Sequence, residues 1–260
     1  MRILYPFNPL NEKEADEPYQ EEFLSMKNAG IDCSLFDFDS LDFEFRPRPK
    51  IQNGDIVLYR GWMLPPEKYS LLVNKIVLSG ANAVTSGDDY VKCHHMPGWY
   101  DQCKAYTPET CFFSNDEKLL QQVSKLGWED YFVKDYVKSN SNEEGSIAKS
   151  PEQVIEIVSL IEKFRGSVEG GVSIRRVEPF VEGSEKRYFA FGSKVYSPDE
   201  DIPKVVQEIA SLVNAPFFSI DTILLEDGSI RLVEIGDGQV SDKKTWPLDR
   251  FVKMIIENAS

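Results

Sequence analysis

The residues of this chain best suited to chemistry form an ordered relay in its second half. Lys134 comes first, in YFVKDYVK, then Glu178, Glu185 and Arg187 in RRVEPFVEGSEKRYF, then Asp221 in SIDTILLEDG and Glu234 in RLVEIGDG. Basic groups are followed, at strand-like spacings, by acidic groups whose hard oxygens suit a hydrated divalent cation. That is the chemistry of a nucleoside-triphosphate site, here without a Walker loop. In an extended segment Lys134, Tyr136 and Lys138 share one face with Phe132, while Val133, Asp135 and Val137 take the other. Two lysines on one sheet face call for anionic partners, whereas an isolated strand lysine is usually solvated or guards an edge. Taken singly, Asp221 reads as a strand-end carboxylate and Glu234 as half of an ion pair with Arg231 or Lys243. Taken together, the cations and carboxylates favour a site, because buried charges need partners or a metal.

The elements that must position these groups follow from the apolar pattern. RILYPF reads as a strand, an acidic helix runs from about Glu17 to Asn28 and ends at Gly30, and DCSLFDF and IVLYRG read as two further strands. Short apolar strands alternating with helices predict a parallel sheet, whose ligands gather beyond the carboxyl ends of the strands. Arg60 and Trp62 sit at such an end, either as a substrate-facing cation with an aromatic wall or as a turn whose Trp packs on the next helix. A helix is expected from Pro66 to Leu78. AVTSGDDYVKCHHMPGWY reads as a connector leading through TPETCFF to a helix at about Glu117 to Leu126.

SNSNEEGS at 139–146 is a polar turn whose backbone N–H groups could approach phosphate oxygens. It precedes a helix from about Glu152 to Arg165, with Ser150 as N-cap. Beyond the Gly170-Gly171 turn, residues 174–181 read as a strand that turns at Gly183-Ser184 and returns as EKRYFAFGSKVYS, a hairpin-like arrangement. Pro179 interrupts sheet pairing there and would leave neighbouring backbone groups for a planar heterocycle.

Composition narrows the class. With 29 basic and 43 acidic residues among 260, the net charge of −14 repels nucleic-acid backbones and anionic lipid surfaces. No stretch approaches the roughly 20 apolar residues needed to cross a bilayer. MRILYPFNP reads directly into a strand without an apolar signal core, so the cytoplasm is the expected compartment. Four cysteines do not make a disulfide framework. Cys93, His94, His95, Cys103 and Cys111 could supply zinc ligands, but there is no C-x-x-C knuckle and adjacent histidines suit tetrahedral closure poorly.

The ordered combination of K-x-x-x-K, E-x-x-V with its proline, E-x-R, Asp and a terminal V-E-I resembles the ATP-grasp superfamily. FVKDYVKS, RRVEPFVEGSEKR and VEIGDGQVSD, with LYRGWM and HHMPGWY upstream, resemble more narrowly a divergent bacterial and phage ATP-grasp family of unassigned substrate. A distant kinship to the eukaryotic cell-division-cycle proteins that assist translation-initiation-factor assembly is also suggested. The resemblance implies an α/β (α+β) ATP-grasp fold: an N-terminal α/β domain at 1–105, and an ATP-grasp domain at 106–260 whose β-rich lobes, 106–180 and 181–260, sandwich ATP.

Carried onto this chain, the resemblance gives Lys134 the adenine edge and an inner phosphate, with Lys138 supplementing it. Glu178, Pro179, Phe180 and Val181 would form the adenine hinge, Glu185 would reach the ribose or else the metal, and Arg187 the terminal phosphates. Asp221 and Glu234 would hold magnesium. Many members end V-E-x-N; here Gly236 stands at the amide position, and Asp237 or water would complete the metal's shell. The implied activity is an ADP-forming carboxylate–amine (or thiol) ligase working through an acylphosphate, with residues 139–148 closing over the phosphates. The substrate would be a metabolite, peptide or protein, held with help from Arg60, Trp62 and His95. The alternative is an ATP-binding assembly factor for a protein partner without ligase turnover.

Overall fold

A computed structural model describes residues 1–137 and 145–259. The first strand, β1 (Arg2–Asn8), sends Ile3 and Tyr5 into one apolar cluster and Leu4 into another. A strand buried on both faces belongs in the middle of a parallel sheet. β2 (Asn11–Ala15) pairs antiparallel with the end of β1; it was not expected, because NEKEA is charged and four of its five residues are exposed, as at a guarded edge. The helix expected from Glu17 divides into a 3-10 turn at Glu17–Tyr19, which contains Pro18, and α1 (Gln20–Asn28). β3 (Asp32–Phe36) and β4 (Ile56–Tyr59) lie parallel to β1 on either side, and α2 (Pro66–Leu78) leads to β5 (Asn82–Ala83), parallel to β4.

The stretch read as a connector instead forms two helices, α3 (Gly87–His94) and α4 (Met96–Cys103). The missed signal is Ser86-x-x-Asp89: Ser86 Oγ accepts from the Asp89 N–H at 3.1 Å and donates to its carboxylate at 2.7 Å. Pro97 lies in the first turn of α4, where an N–H would have no intrahelical partner.

A second sheet follows. β6 (Thr110–Phe113), α5 (Leu119–Ser124), β7 (Tyr131–Asp135), β8 (Ile147–Ala148), α6 (Pro151–Arg165) and β9 (Val172–Arg176) give the strand order β6-β9-β7-β8, with antiparallel pairing throughout. Ser150 caps α6 as expected, its Oγ accepting from the Gln153 N–H, and Gly166 closes the helix in the left-handed conformation. Val154, Ile157, Val158 and Ile161 recur at helical spacing and bury against Val133, Val172 and Ile174. At the Gly170-Gly171 turn the chain needs glycine: φ is +75° and +149°, and a Cβ on Gly171 would lie 2.8 Å from the Phe113 carbonyl.

β10 (Lys186–Phe191), β11 (Lys194–Tyr196), α7 (Lys204–Leu212), β12 (Phe217–Leu224), β13 (Ile230–Asp237) and α8 (Leu248–Glu257) complete the chain, with the strand order β11-β10-β12-β13. The hairpin expected from RRVEPFVEGSEKRYF is therefore corrected. β9 ends at Arg176 and belongs to the second sheet, whereas β10 belongs to the third and turns back on β11 through Gly192-Ser193. A two-residue loop with glycine suits a hairpin; the longer link carrying Pro179 does not.

The chain forms two compact units. One comprises Met1–Cys93, Arg187–Ile220 and Gly236–Ser260, and the other His94–Lys186 and Asp221–Ile235. In the first, two apolar clusters use the two sides of β1 and β4: Leu58 joins Ile3 and Tyr5 with residues of α1 and α8, and Val57 and Tyr59 join Leu4 with residues of α2. In the second, one core lies between α5, α6 and the β6–β9 sheet. Among the described residues no helix is long and apolar enough to cross a membrane. Ile161→Ala should cost about 2–4 kcal/mol in urea unfolding, whereas Phe164→Ala on the exposed side of α6 should stay within about 0.5 kcal/mol.

Candidate functional site

Lys134 lies in the fourth place of β7, across from Ser173 of β9. It is 5% exposed, and its ammonium Nζ donates to Glu234 Oε1 on β13 at 2.9 Å. Neither partner proposed for Glu234 by sequence, Arg231 or Lys243, makes this bond. Arg231 instead grips Glu178 through two hydrogen bonds of 2.6 and 2.7 Å. Glu234 keeps a side chain one-third exposed, so one end of the Lys134 pair is sealed and the other reaches solvent. Asp221 lies on the neighbouring strand β12 in the same unit and is buried.

The face of the β6–β9–β7 sheet that carries Lys134 also carries Phe132, Ser173, Arg175, Thr110 and Phe112, as the strand registers require. Ser173 and Arg175 were missed by the sequence reading, which started this strand at 174. The signal was the S-x-R spacing, which becomes legible once Lys134 is known to face Ser173. The opposite face carries Val133 and Ile174 into the core, together with Asp135, whose charge is met by Arg165.

The backbone at 178–181 is less available than the proline implied. Pro179 removes only a donor: its carbonyl accepts from the Glu226 N–H at 3.2 Å, and the Val181 N–H donates to the Leu224 carbonyl at 2.8 Å. Phe180, between them, bridges Leu225, while its own N–H turns to the Glu178 carbonyl at 2.9 Å. Pairing therefore continues through the hinge segment, which docks on the turn joining β12 to β13. Glu185 is exposed just before β10.

Asp237 does not stand beside Glu234. Strand alternation sets the two carboxylates on opposite faces of β13. Asp237 is 1% exposed, and its Oδ1 accepts from the backbone and side-chain N–H groups of Gln239 at 3.0 and 3.3 Å. Burial pushes its carboxyl up to about 7. Gly236, on the Glu234 side, stands where the resemblance implies an amide: a Cβ there would lie 2.8 Å from Ser219 Oγ and 3.1 Å from Ser241 Oγ, two hydroxyls bonded to each other at 2.8 Å. Among the described residues no group of three or more His, Cys, Asp or Glu side chains is arranged to hold a metal. Asp221 and Glu234 offer hard oxygens on adjacent strands, a donor set that fits magnesium when water and phosphate oxygens supply the rest.

The remaining expected residues divide. Lys138 and most of the 139–148 segment lie outside the described residues. Arg187 donates from one guanidinium nitrogen to the Asp242 carbonyl at 3.0 Å and carboxylate at 2.7 Å. Arg60 is not substrate-facing: at 1% exposure its guanidinium makes two 2.9 Å bonds to Glu22 and further bonds to the carbonyls of Gly238, Gln239 and Ser241, with Phe251 stacked on it. A cation at the end of a buried strand has gone inward because an equally buried carboxylate meets it there. Trp62 is 42% exposed and rests on Tyr19 rather than α2, its indole N–H donating to Asp16. His95 contacts Glu169 at 3.1 Å. Burial acts to raise the Glu169 carboxyl, but the His95 hydrogen bond and the charges of His94, His95 and Arg165 outweigh it and hold it low.

Solved structures of the same architecture include proteins described as synthetases and as an ATP-grasp ligase. The D-alanyl-alanine synthetase A of Vibrio cholerae O1 biovar eltor aligns with a TM-score of 0.65 at 12% identity, over 100% of this chain and 97% of that one. The D-cycloserine synthetase DcsG aligns at 0.67 and 11%, over the whole of both chains. The ATP-grasp ligase PsnB, in a complex with minimal precursor, Mg and ADP, aligns at 0.63 and 11%, over 100% of this chain and 97% of that one. Comparison with curated proteins gives no match. The fold is thus the ATP-grasp fold. Residues 125–255 match the ATP-grasp domain of R2K clade family 3, and the chain belongs to that family.

Two outcomes follow for stability. Glu22→Gln, which strips a buried guanidinium of its counter-charge, should cost about 3–5 kcal/mol in urea unfolding. Glu169 is an acid whose folded value is depressed, so its contribution is fully present above its ordinary 4.5 and is lost as pH falls through the folded value. The stability advantage of wild type over Glu169→Gln, followed by thermal unfolding against pH, should therefore shrink only below about pH 4.5.

Proposed function

We propose that this protein is an ATP- and magnesium-dependent ligase that joins a carboxylate to an amine through an acylphosphate. The observation that carries the reading is the buried Lys134 ammonium held at 2.9 Å by the half-open Glu234 carboxylate, in a chain of the ATP-grasp family. A carboxylate oxygen of the substrate attacks the γ-phosphorus, the bond to the β-phosphate oxygen breaks, and ADP leaves. The amine nitrogen then attacks the activated carbonyl carbon, loses its proton, and expels phosphate.

Lys134 neutralises phosphate charge from a site where the surrounding protein excludes water, which strengthens its field. Asp221 and Glu234 would hold magnesium, which would supply charge neutralisation across the phosphates. Glu178 fixes the hinge through Arg231, and the 178–181 segment with Glu185 faces the nucleoside. Arg187 keeps the role that the resemblance gives it at the terminal phosphates. The substrate-facing part is assigned to residues 1–105, where Trp62 and His95 remain candidates and Arg60 does not. A peptide or a small amino-acid-like acceptor is the favoured class, since PsnB and the macrocyclase MdnC of Microcystis aeruginosa MRC are described with precursor peptides and other structures of this fold as synthetases of D-alanyl-alanine and D-cycloserine.

The test is ADP release from ATP and magnesium in the presence of carboxylate and amine candidates. Amine-dependent release with a new amide in the mass spectrum supports ligation; tight ATP binding with no turnover under any acceptor supports the assembly-factor alternative. Lys134→Ala should lower kcat/KM by about a hundredfold or more, and Asp221→Asn and Glu234→Gln should chiefly raise the magnesium concentration required. If all three variants keep wild-type ATP affinity and turnover, the site lies elsewhere.

A further inference from the structure

Ser173 and Arg175 are two residues apart on β9 and point to one side of the sheet, the side that carries Lys134. Ser173 stands directly across from Lys134, and Arg175 from Phe132 on β7 and Thr110 on β6. Both are buried, at 0% and 4% exposure. Among the described residues Ser173 Oγ and Arg175 Nε have no hydrogen-bond partner. Among the described residues the guanidinium makes one bond, a 3.4 Å contact from an Nη to the Met96 thioether, a weak acceptor.

A buried guanidinium with five donors normally has a carboxylate to itself, as Arg60 has Glu22. Arg175 has none. The acid that acts most on it is Glu234, followed by the weaker fields of Tyr100 and Glu178, and Glu234 is already bonded to Lys134. Burial pushes the Arg175 guanidinium down to about 10, which leaves it charged near neutrality. Among the described residues Lys134 and Arg175 therefore share this face, and the carboxylate that acts most on Arg175 is bonded to Lys134. Ser173 adds a hydroxyl donor between Lys134 and Arg175. Lysine, serine and a forked guanidinium on adjacent strand positions match a tetrahedral oxyanion.

We propose that Arg175, with Ser173 beside it, is a further binding residue of the site marked by Lys134 and Glu234, and that it takes phosphoryl oxygens of the bound nucleotide. The inference rests on the nucleotide reading above. It gives the buried charge the partner it lacks, and makes phosphate recognition a property of β9 as well as β7.

The test titrates the purified protein, by calorimetry with magnesium present, with adenosine, AMP, ADP and ATP. Wild type should bind the phosphorylated forms more tightly than adenosine. Arg175→Met should lose about tenfold or more of that preference with adenosine affinity unchanged, because a bond to a charged group is removed. Arg175→Lys keeps the charge but not the fork and should fall between, which serves as the deciding comparison if the methionine variant does not fold. A preference left intact in either folded variant, or an equal loss for adenosine and ATP, overturns the proposal. Wild type that binds none of the four ligands overturns this inference together with the nucleotide reading.

Discussion

The candidate site depends on one interaction, the ion pair between Lys134 and Glu234. An ammonium placed at 5% exposure on a sheet face has lost most of its hydration, and only a close counter-charge makes that position tolerable. At an effective dielectric constant of 20, unit charges about 4 Å apart attract by about 4 kcal/mol, enough to fix the lysine rotamer. Glu234 is anchored on β13 and Lys134 on β7, so the bond joins two separate sheets within one compact unit. In the proposed reading, Lys134 would turn its ammonium to phosphate oxygens and Glu234 would offer its carboxylate to the metal, so that neither charge is left unmatched.

Arg60 and Glu22 show what the same chemistry does when nothing is to be exchanged. Both side chains are 1% exposed, the guanidinium fork is met by two carboxylate oxygens, and three carbonyls take further donors. Burial works against the Arg60 charge, but Glu22 more than offsets it and the guanidinium is held above its ordinary value. Such a pair is closed on itself and serves the packing of α1, β4 and the 238–241 turn. The Lys134 pair makes a single 2.9 Å bond and leaves Glu234 one-third exposed, and in the proposed reading that opening separates a site from a brace.

How much of this was legible in sequence depended on the range of the interaction. Strands β1, β3 and β4, the helix capped by Ser150, and the helix from Pro66 were readable because apolar period and caps are local signals. β2 was not, since a charged edge strand carries no alternation, and α3 and α4 were not, since both are short and the Ser86-x-x-Asp89 box has Asp where the usual signal has Glu or Gln. The order Lys, Glu, Arg, Asp, Glu was visible as a pattern of types. The partner of each charge was not: Glu178 with Arg231, Glu234 with Lys134 and Arg60 with Glu22 are separated by 53, 100 and 38 residues. Pairing over such distances is decided by sheet register, which one sequence does not print.

The departure at position 236 has a local cause and a consequence for the metal. Where the resemblance implies an amide, this chain has a glycine, and a Cβ there would crowd the bonded hydroxyls of Ser219 and Ser241. An asparagine there would have to displace that pair, so the absence of the amide is built into the packing of β12 and the 236–241 turn. Nor does Asp237 substitute for it: alternation turns it to the other face, and Gln239 occupies one of its oxygens. In the proposed site, Asp221 and Glu234 are the described residues that would hold magnesium, and water and phosphate oxygens would supply the rest. An ion that favours octahedral geometry and gives up water reluctantly accepts such a shell. Fewer protein ligands also leave more of its affinity to the nucleotide, so cation and triphosphate are expected to bind as one unit rather than in sequence.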